Sequence, residues 1–238
     1  MSRWTILAVL LPMVLPSGVG ASAQSRDDLA TAARAFDEGA LRREDDNAKA
    51  TPIRKRTGPI HLSFRNPGMA PGLVEPTRRA VRRIAVEAAV TVEDVAVDDP
   101  FADFIVGFDE NESSSGKRTC LAQTWWKAWS IYRNVLKINP AYAGGIDGCI
   151  IHESMHAFGF NSHPHGGDSV LSYVYKRSTL TPLDIHLIHT LYDPRMTIGL
   201  KPAAASQLGC RILSERMESS ATDVAAVCTD RKGPVPSF

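Results

Sequence analysis

Residues 147–165 read DGCIIHESMHAFGFNSHPH, and this segment constrains the fold and the chemistry more than any other part of the chain. Its apolar side chains recur at helical spacing, at Ile150, Ile151, Met155 and Phe158. That period predicts a helix. Residues four positions apart lie on the same face of a helix, so His152 and His156 can reach one metal ion through their imidazole nitrogens.

Glu153 and a later histidine can complete a catalytic metal site around this pair. The Glu153 carboxylate would lie beside the metal, where it can accept a proton from a metal-bound water. A catalytic zinc ion has three protein ligands. Gly159 can take a left-handed backbone conformation without steric cost, so the chain can turn back and bring His163 or His165 to the third position. The plainer alternative is a helix with two histidines on a polar face, although H-E-x-x-H arises by chance in only about one such chain in a hundred.

The segment from residue 152 to residue 163 resembles the extended zinc signature of the metzincin metallopeptidases, H-E-x-x-H-x-x-G-x-x-H. Residues 169–173 resemble their Met-turn, and residues 180–192 resemble the helix that follows it in the serralysin and matrixin branches. The chain is also similar to an uncharacterised family of exported bacterial proteins that ends this unit in Leu-Tyr-Asp-Pro-Arg, here residues 191–195. The resemblance implies a metzincin-like zinc-site helix and a Met-turn-like segment.

The chain departs from the metzincin pattern in two places. The third histidine would fall at Ser162, and His163 comes one residue later, so the loop must accommodate one extra residue. We expect His163 rather than His165 to be the third ligand, because it is closer to the family's register. Leu171 stands where the family has methionine, which is a nearly volume-conserving change. The resemblance also implies that Tyr173 lies near the zinc ion and assists the transition state; the alternative is an ordinary packed tyrosine.

The first 23 residues predict a signal peptide. Arg3 precedes an apolar run from residue 6 to residue 15, and small residues at 21–23 supply a cleavage site. The run is too short to span a bilayer. We therefore expect a secreted or periplasmic protein with no stable membrane span after cleavage.

The cysteines and the charge balance agree with an exported, globular protein. An oxidising compartment permits disulfides, and four cysteines allow three pairings. We expect Cys120–Cys149 and Cys210–Cys228, because each pair lies within one segment of the chain. The 27 basic and 26 acidic side chains nearly cancel, which excludes the electrostatic footprint of a nucleic-acid-binding protein.

The pattern of apolar residues predicts an α+β fold. Strands are predicted at residues 60–64, 101–108 and 134–138, an amphipathic helix from Glu75, and a helix that begins with a Thr181 cap. Strands and helices do not alternate strictly, so we expect a small mixed sheet with packed helices. We expect residues 1–23 to be a signal peptide and residues 24–57 a polar helix followed by a linker. Residues 58–198 would form the metzincin-like catalytic domain, and residues 199–238 a C-terminal extension with one helix and a disulfide.

These observations predict a secreted, zinc-dependent, peptidase-like hydrolase that acts on a peptide or protein. His152, His156 and His163 would bind Zn²⁺, Glu153 would be the general base, and Tyr173 would assist. The alternative is an exported metal-binding or protein-interaction domain without peptidase activity. The oligomeric state stays open.

Overall fold

A computed structural model describes residues 19–43, 46–108, 120–140, 145–172 and 177–229. Within these residues the chain forms six helices: α1 (Val19–Leu41), α2 (Pro71–Glu87), α3 (Ile146–Ala157), α4 (Pro182–Leu191), α5 (Pro202–Arg216) and α6 (Ala221–Cys228). It also forms eight strands: β1 (Arg42–Arg43), β2 (Asp46–Ala50), β3 (Lys55–Arg56), β4 (Ile60–Arg65), β5 (Val92–Asp94), β6 (Phe104–Phe108), β7 (Cys120–Lys127) and β8 (Ser130–Ile138). The predicted α+β fold is confirmed.

The main sheet is mostly parallel and ends in one antiparallel strand. Strands β5, β4, β6 and β8 lie side by side in parallel, β3 pairs in parallel with the first residues of β8, and β7 pairs antiparallel with β8. β7 and β8 form a hairpin because Ala128 and Trp129 both adopt positive φ angles, of 48° and 69°. Two such residues make the tight turn whose twist matches the flanking strands. No described strand pairs with the outer edge of β7.

One hydrophobic core joins the sheet to both ends of the described chain. Leu29 and Phe36 of α1 are fully buried, and they belong to the same cluster as Phe104 of β6 and Leu213 of α5. Helices α1 and α5 approach closely, since a Cβ placed on Gly209 would lie 2.7 Å from the Phe36 ring. The predicted domain boundaries stay predictions, but the N-terminal helix and the C-terminal extension share this core.

The segment expected to be a linker contributes a short strand and buried side chains. Ile53 is fully buried, and its backbone N–H donates to the Leu200 carbonyl at 3.0 Å. Lys55 and Arg56 form β3, and both side chains are buried. These two charged side chains can be buried because each has a polar partner. Lys55 donates to backbone carbonyls near the end of α4, and Arg56 forms an ion pair with Asp103. The amino-acid composition of the segment does not indicate such partners.

Both predicted disulfides are present. Cys120–Cys149 joins the start of β7 to α3, and Cys210–Cys228 joins α5 to α6. Disulfides of this kind are typical of proteins from oxidising compartments, which is compatible with the predicted export. The predicted signal peptide lies largely outside the described residues, and no helix in the described part of the chain is long and apolar enough to cross a membrane.

The C-terminal extension differs from expectation in having two helices where the sequence predicted one. The chain leaves α5 at Met217, and Glu218 takes a positive φ of 51°. A second helix begins after Ser220, whose side chain accepts a hydrogen bond from the Asp223 backbone N–H. The hydrogen bond satisfies a backbone N–H that the first turn of a helix leaves without a partner, so Ser220 favours the start of a new helix at this point.

Candidate metal centre

Helix α3 carries the first two histidines of the site. It packs between α2 and β7, and its middle residues are buried. His152 and His156 lie one turn apart, as the four-residue spacing requires, and the disulfide from Cys149 fixes the helix to the edge strand. The helix is therefore held next to β7, a strand at the edge of the sheet.

A sharp turn at Gly159 sends the chain back toward these histidines. Gly159 has a φ of 113°, and a Cβ there would lie 2.3 Å from the Arg54 carbonyl oxygen. Only glycine fits a position with both constraints. Beyond the turn, the backbone N–H groups of Asn161 and Ser162 donate to the Gly39 carbonyl at 2.7 and 3.1 Å. The end of α1 thus holds the loop that carries His163.

The three predicted histidine ligands meet at their Nε2 atoms. These atoms lie 3.0 Å apart for His152 and His163, 3.1 Å for His152 and His156, and 3.2 Å for His156 and His163. Ligands at zinc–nitrogen distances of about 2.0–2.1 Å in a tetrahedron are separated by about 3.3–3.4 Å. The triangle is therefore close to the size that a metal ion requires, and the group could hold one.

Backbone carbonyls set the orientation of two of the rings. Nδ1 of His152 lies 2.7 Å from the Val170 carbonyl oxygen, and Nδ1 of His156 lies 2.6 Å from the Phe160 carbonyl oxygen. A carbonyl can only accept, so each Nδ1 carries the proton and donates it. In the neutral ring the lone pair is then on Nε2, which faces the centre of the triangle.

Burial favours the neutral form of the rings. Burial, with a smaller contribution from the neighbouring His156, lowers the pKa of His152 to about 3. Burial also lowers the pKa of His163 to about 4, with contributions from His156 and His165. Neutral imidazole is the form that binds metal, so the protein's interior prepares these residues as ligands near neutral pH.

Glu153 lies between α3 and the edge strand. Its side chain is buried, and Oε2 accepts a hydrogen bond of 2.7 Å from the backbone N–H of Ala122 on β7. The disulfide at Cys120 begins two residues before Ala122, so covalent and hydrogen-bond links join the same two elements. This arrangement fixes the carboxylate on α3, one residue after His152.

The structure separates the two candidates for the third position. His165 is exposed, and its backbone N–H donates to the buried Glu38 carboxylate at 2.8 Å. Its ring does not belong to the histidine triangle, which His163 completes. Tyr173 lies outside the described residues, so its role stays a prediction.

Asp184 supports the site in a way that the sequence did not predict. It forms the expected capping box with Thr181 at the start of α4. The same carboxylate also accepts hydrogen bonds from the Ser169 hydroxyl at 2.6 Å and from the Val170 backbone N–H at 3.2 Å. Since the Val170 carbonyl orients His152, Asp184 supports this candidate ligand through a single intervening residue. In the sequence, only the capping pattern of Thr181 and Asp184 drew attention to this carboxylate.

Comparison with known proteins finds no family model that matches this chain and no curated protein similar to it.

Proposed function

We propose that the protein is a secreted, zinc-dependent, peptidase-like hydrolase. His152, His156 and His163 are the metal ligands, and Glu153 is the general base. The observation that carries the proposal is the convergence of three Nε2 atoms within 3.2 Å of one another, beside a buried carboxylate on the same helix.

The chain's own groups divide the work of hydrolysis. A zinc ion, when bound, supplies a Lewis acid that polarises a water molecule and the scissile carbonyl. Glu153 takes the proton from the attacking water and later delivers it to the leaving amine. The Ala122 amide and the surrounding protein hold the carboxylate in one place, which lowers the entropic cost of the proton transfer.

The edge strand favours a peptide or protein as substrate. β7 lies next to α3, and no described strand covers its outer edge. An extended peptide can pair with such an edge through backbone hydrogen bonds. These bonds do not depend on the peptide's side chains, and they fix the direction in which the peptide chain runs. The side chain of Glu153 contacts this strand at Ala122, so a peptide on the edge would pass close to the base.

A second candidate is an exported metal-binding or protein-interaction domain without peptidase activity. The hydrogen bond from Ala122 to Glu153 favours it, because a carboxylate that joins α3 to β7 also serves as a structural link. The extra residue in the loop before His163 is a further departure from the metzincin pattern.

The experiment compares the mature protein with Glu153→Gln, which preserves size and can still accept the Ala122 hydrogen bond. Glu93→Gln is the matched control, because Glu93 lies exposed on β5. Zinc content is measured first, and each protein is then incubated with a mixed peptide library. We expect equal zinc in all three and a loss of about 10²–10⁴-fold in cleavage for Glu153→Gln alone. A zinc-loaded parent that cleaves nothing would favour the metal-binding domain, and a parent without zinc would favour the interaction domain.

A further inference from the structure

The Leu-Tyr-Asp-Pro-Arg segment at residues 191–195 lies outside the zinc signature, yet it contacts the end of the ligand helix. The Tyr192 hydroxyl donates a 2.9 Å hydrogen bond to the carbonyl oxygen of Phe158, the C-cap residue of α3. The same hydroxyl accepts a weaker hydrogen bond of 3.4 Å from the Arg56 backbone N–H. Burial raises the pKa of Tyr192 above its ordinary range, so the hydroxyl keeps the proton that it donates.

The residue that Tyr192 contacts begins the turn on which two metal ligands depend. Phe158 is followed by Gly159, where the chain reverses, and then by Phe160, whose carbonyl accepts the proton of His156 Nδ1 at 2.6 Å. The loop that leaves this turn carries His163. A shift of the turn would therefore rotate one ligand and displace another.

Other contacts hold the tyrosine in place. Lys55 Nζ donates to the Leu191 carbonyl at 3.0 Å and to the Asp193 carbonyl at 3.3 Å, one on each side of Tyr192. The Asp193 carboxylate accepts from Arg195, which also contacts Glu215 on α5. The backbone around Tyr192 is thus fixed at several points, so the hydroxyl is presented to α3 from a rigid support.

We propose that Tyr192 is a positioning residue for the metal centre: its hydroxyl fixes the Phe158–Phe160 turn, and this turn orients His156 and starts the loop to His163. The inference rests on the proposed metal-binding function. It also assigns a role to the Leu191–Arg195 segment, which carries the tyrosine and anchors it to β3 and α5.

The test is metal binding by the full mature chain with Tyr192→Phe, which removes the hydroxyl and keeps the ring. Tyr132→Phe makes the same chemical change at an exposed tyrosine on β8. Zn²⁺ affinity is measured by competition with a chromophoric chelator, and the visible absorption spectrum of the Co²⁺-loaded protein reports ligand geometry. The melting temperature of the metal-free protein is measured in parallel.

We expect Tyr192→Phe to bind Zn²⁺ roughly tenfold more weakly, since groups that orient metal ligands change affinity by about 10–100-fold. Its Co²⁺ spectrum should change, and Tyr132→Phe should match the parent in both measurements. Parent-like affinity and spectrum in Tyr192→Phe would overturn the positioning role, even with a lower melting temperature, and would leave the metal site intact.

Two further results are decisive. A parent that binds neither Zn²⁺ nor Co²⁺ would refute the proposed metal site and this inference with it. If Tyr192→Phe does not fold, Lys55→Met replaces it as the test, because loss of the ammonium group frees the backbone on both sides of Tyr192. Weaker Zn²⁺ binding in that variant supports the inference, and unchanged binding overturns it.

Discussion

Replacing Gly159 by alanine tests whether the turn after α3 builds the metal centre. A Cβ at this position would lie 2.3 Å from the Arg54 carbonyl oxygen, and the φ of 113° is unfavourable for any residue with a side chain. A strained backbone conformation costs about 1–3 kcal/mol. The backbone shift needed to relieve the contact costs a similar amount, by analogy with overpacking.

These two costs set the expected size of the effect. Their sum is about 2–6 kcal/mol, and a loss of about 3 kcal/mol lowers the melting temperature of a protein of this size by roughly 6–12 °C. The turn also starts the loop that carries His163. We therefore expect Zn²⁺ affinity to fall at least about tenfold as ligand geometry is disturbed.

The assay combines thermal unfolding of the metal-free protein with Zn²⁺ titration. Gly107→Ala is the control, because a Cβ at Gly107 of β6 meets nothing within 4 Å. The control should remain within about 1 kcal/mol of the parent. If Gly159→Ala melts and binds Zn²⁺ like the parent, the turn does not depend on glycine and the steric reasoning is wrong.

Three other outcomes can be measured on the same protein. His163→Ala should lose Zn²⁺ affinity far more than His165→Ala in a competition titration, and the reverse ranking would contradict the ligand assignment. Replacing both cysteines of the disulfide between β7 and α3 by serine should lower the free energy of unfolding by about 3–4 kcal/mol, because the bond closes a separation of 29 residues; a urea unfolding curve that matches the parent would refute this. Hydrogen bonds from Arg195 lower the pKa of Asp193 below its usual 3.8, so this contact stabilises the protein at neutral pH and its contribution is lost as the pH falls below that value through the lowered pKa. Asp193→Asn should therefore reduce the loss of stability as the pH falls below about 3.8, and an unchanged acid profile would show that other groups cause it.

Local patterns predicted much of the fold. The helical spacing around His152 and the Thr181 capping pattern both correspond to elements of the structure, because they depend on neighbours three or four residues away. The pairing of cysteines within one segment was also correct. The break between α5 and α6 was missed, although Ser220 and Asp223 form an ordinary cap there.

The residue types of the candidate site are encoded in one short segment, since H-E-x-x-H places its histidines on one helix face whatever surrounds them. The amino-acid sequence alone therefore identified the candidate metal-binding residues and left the third position open between two histidines. The tertiary structure brings His163 into the triangle, because the Gly39 carbonyl at the end of α1 accepts hydrogen bonds from the returning loop. The His165 backbone N–H donates to Glu38 instead, and its ring lies outside the triangle. Carbonyls of Val170 and Phe160 orient the rings, and every residue type has a carbonyl, so no sequence motif could mark them. Long-range backbone contacts of this kind exist only once distant segments have packed together.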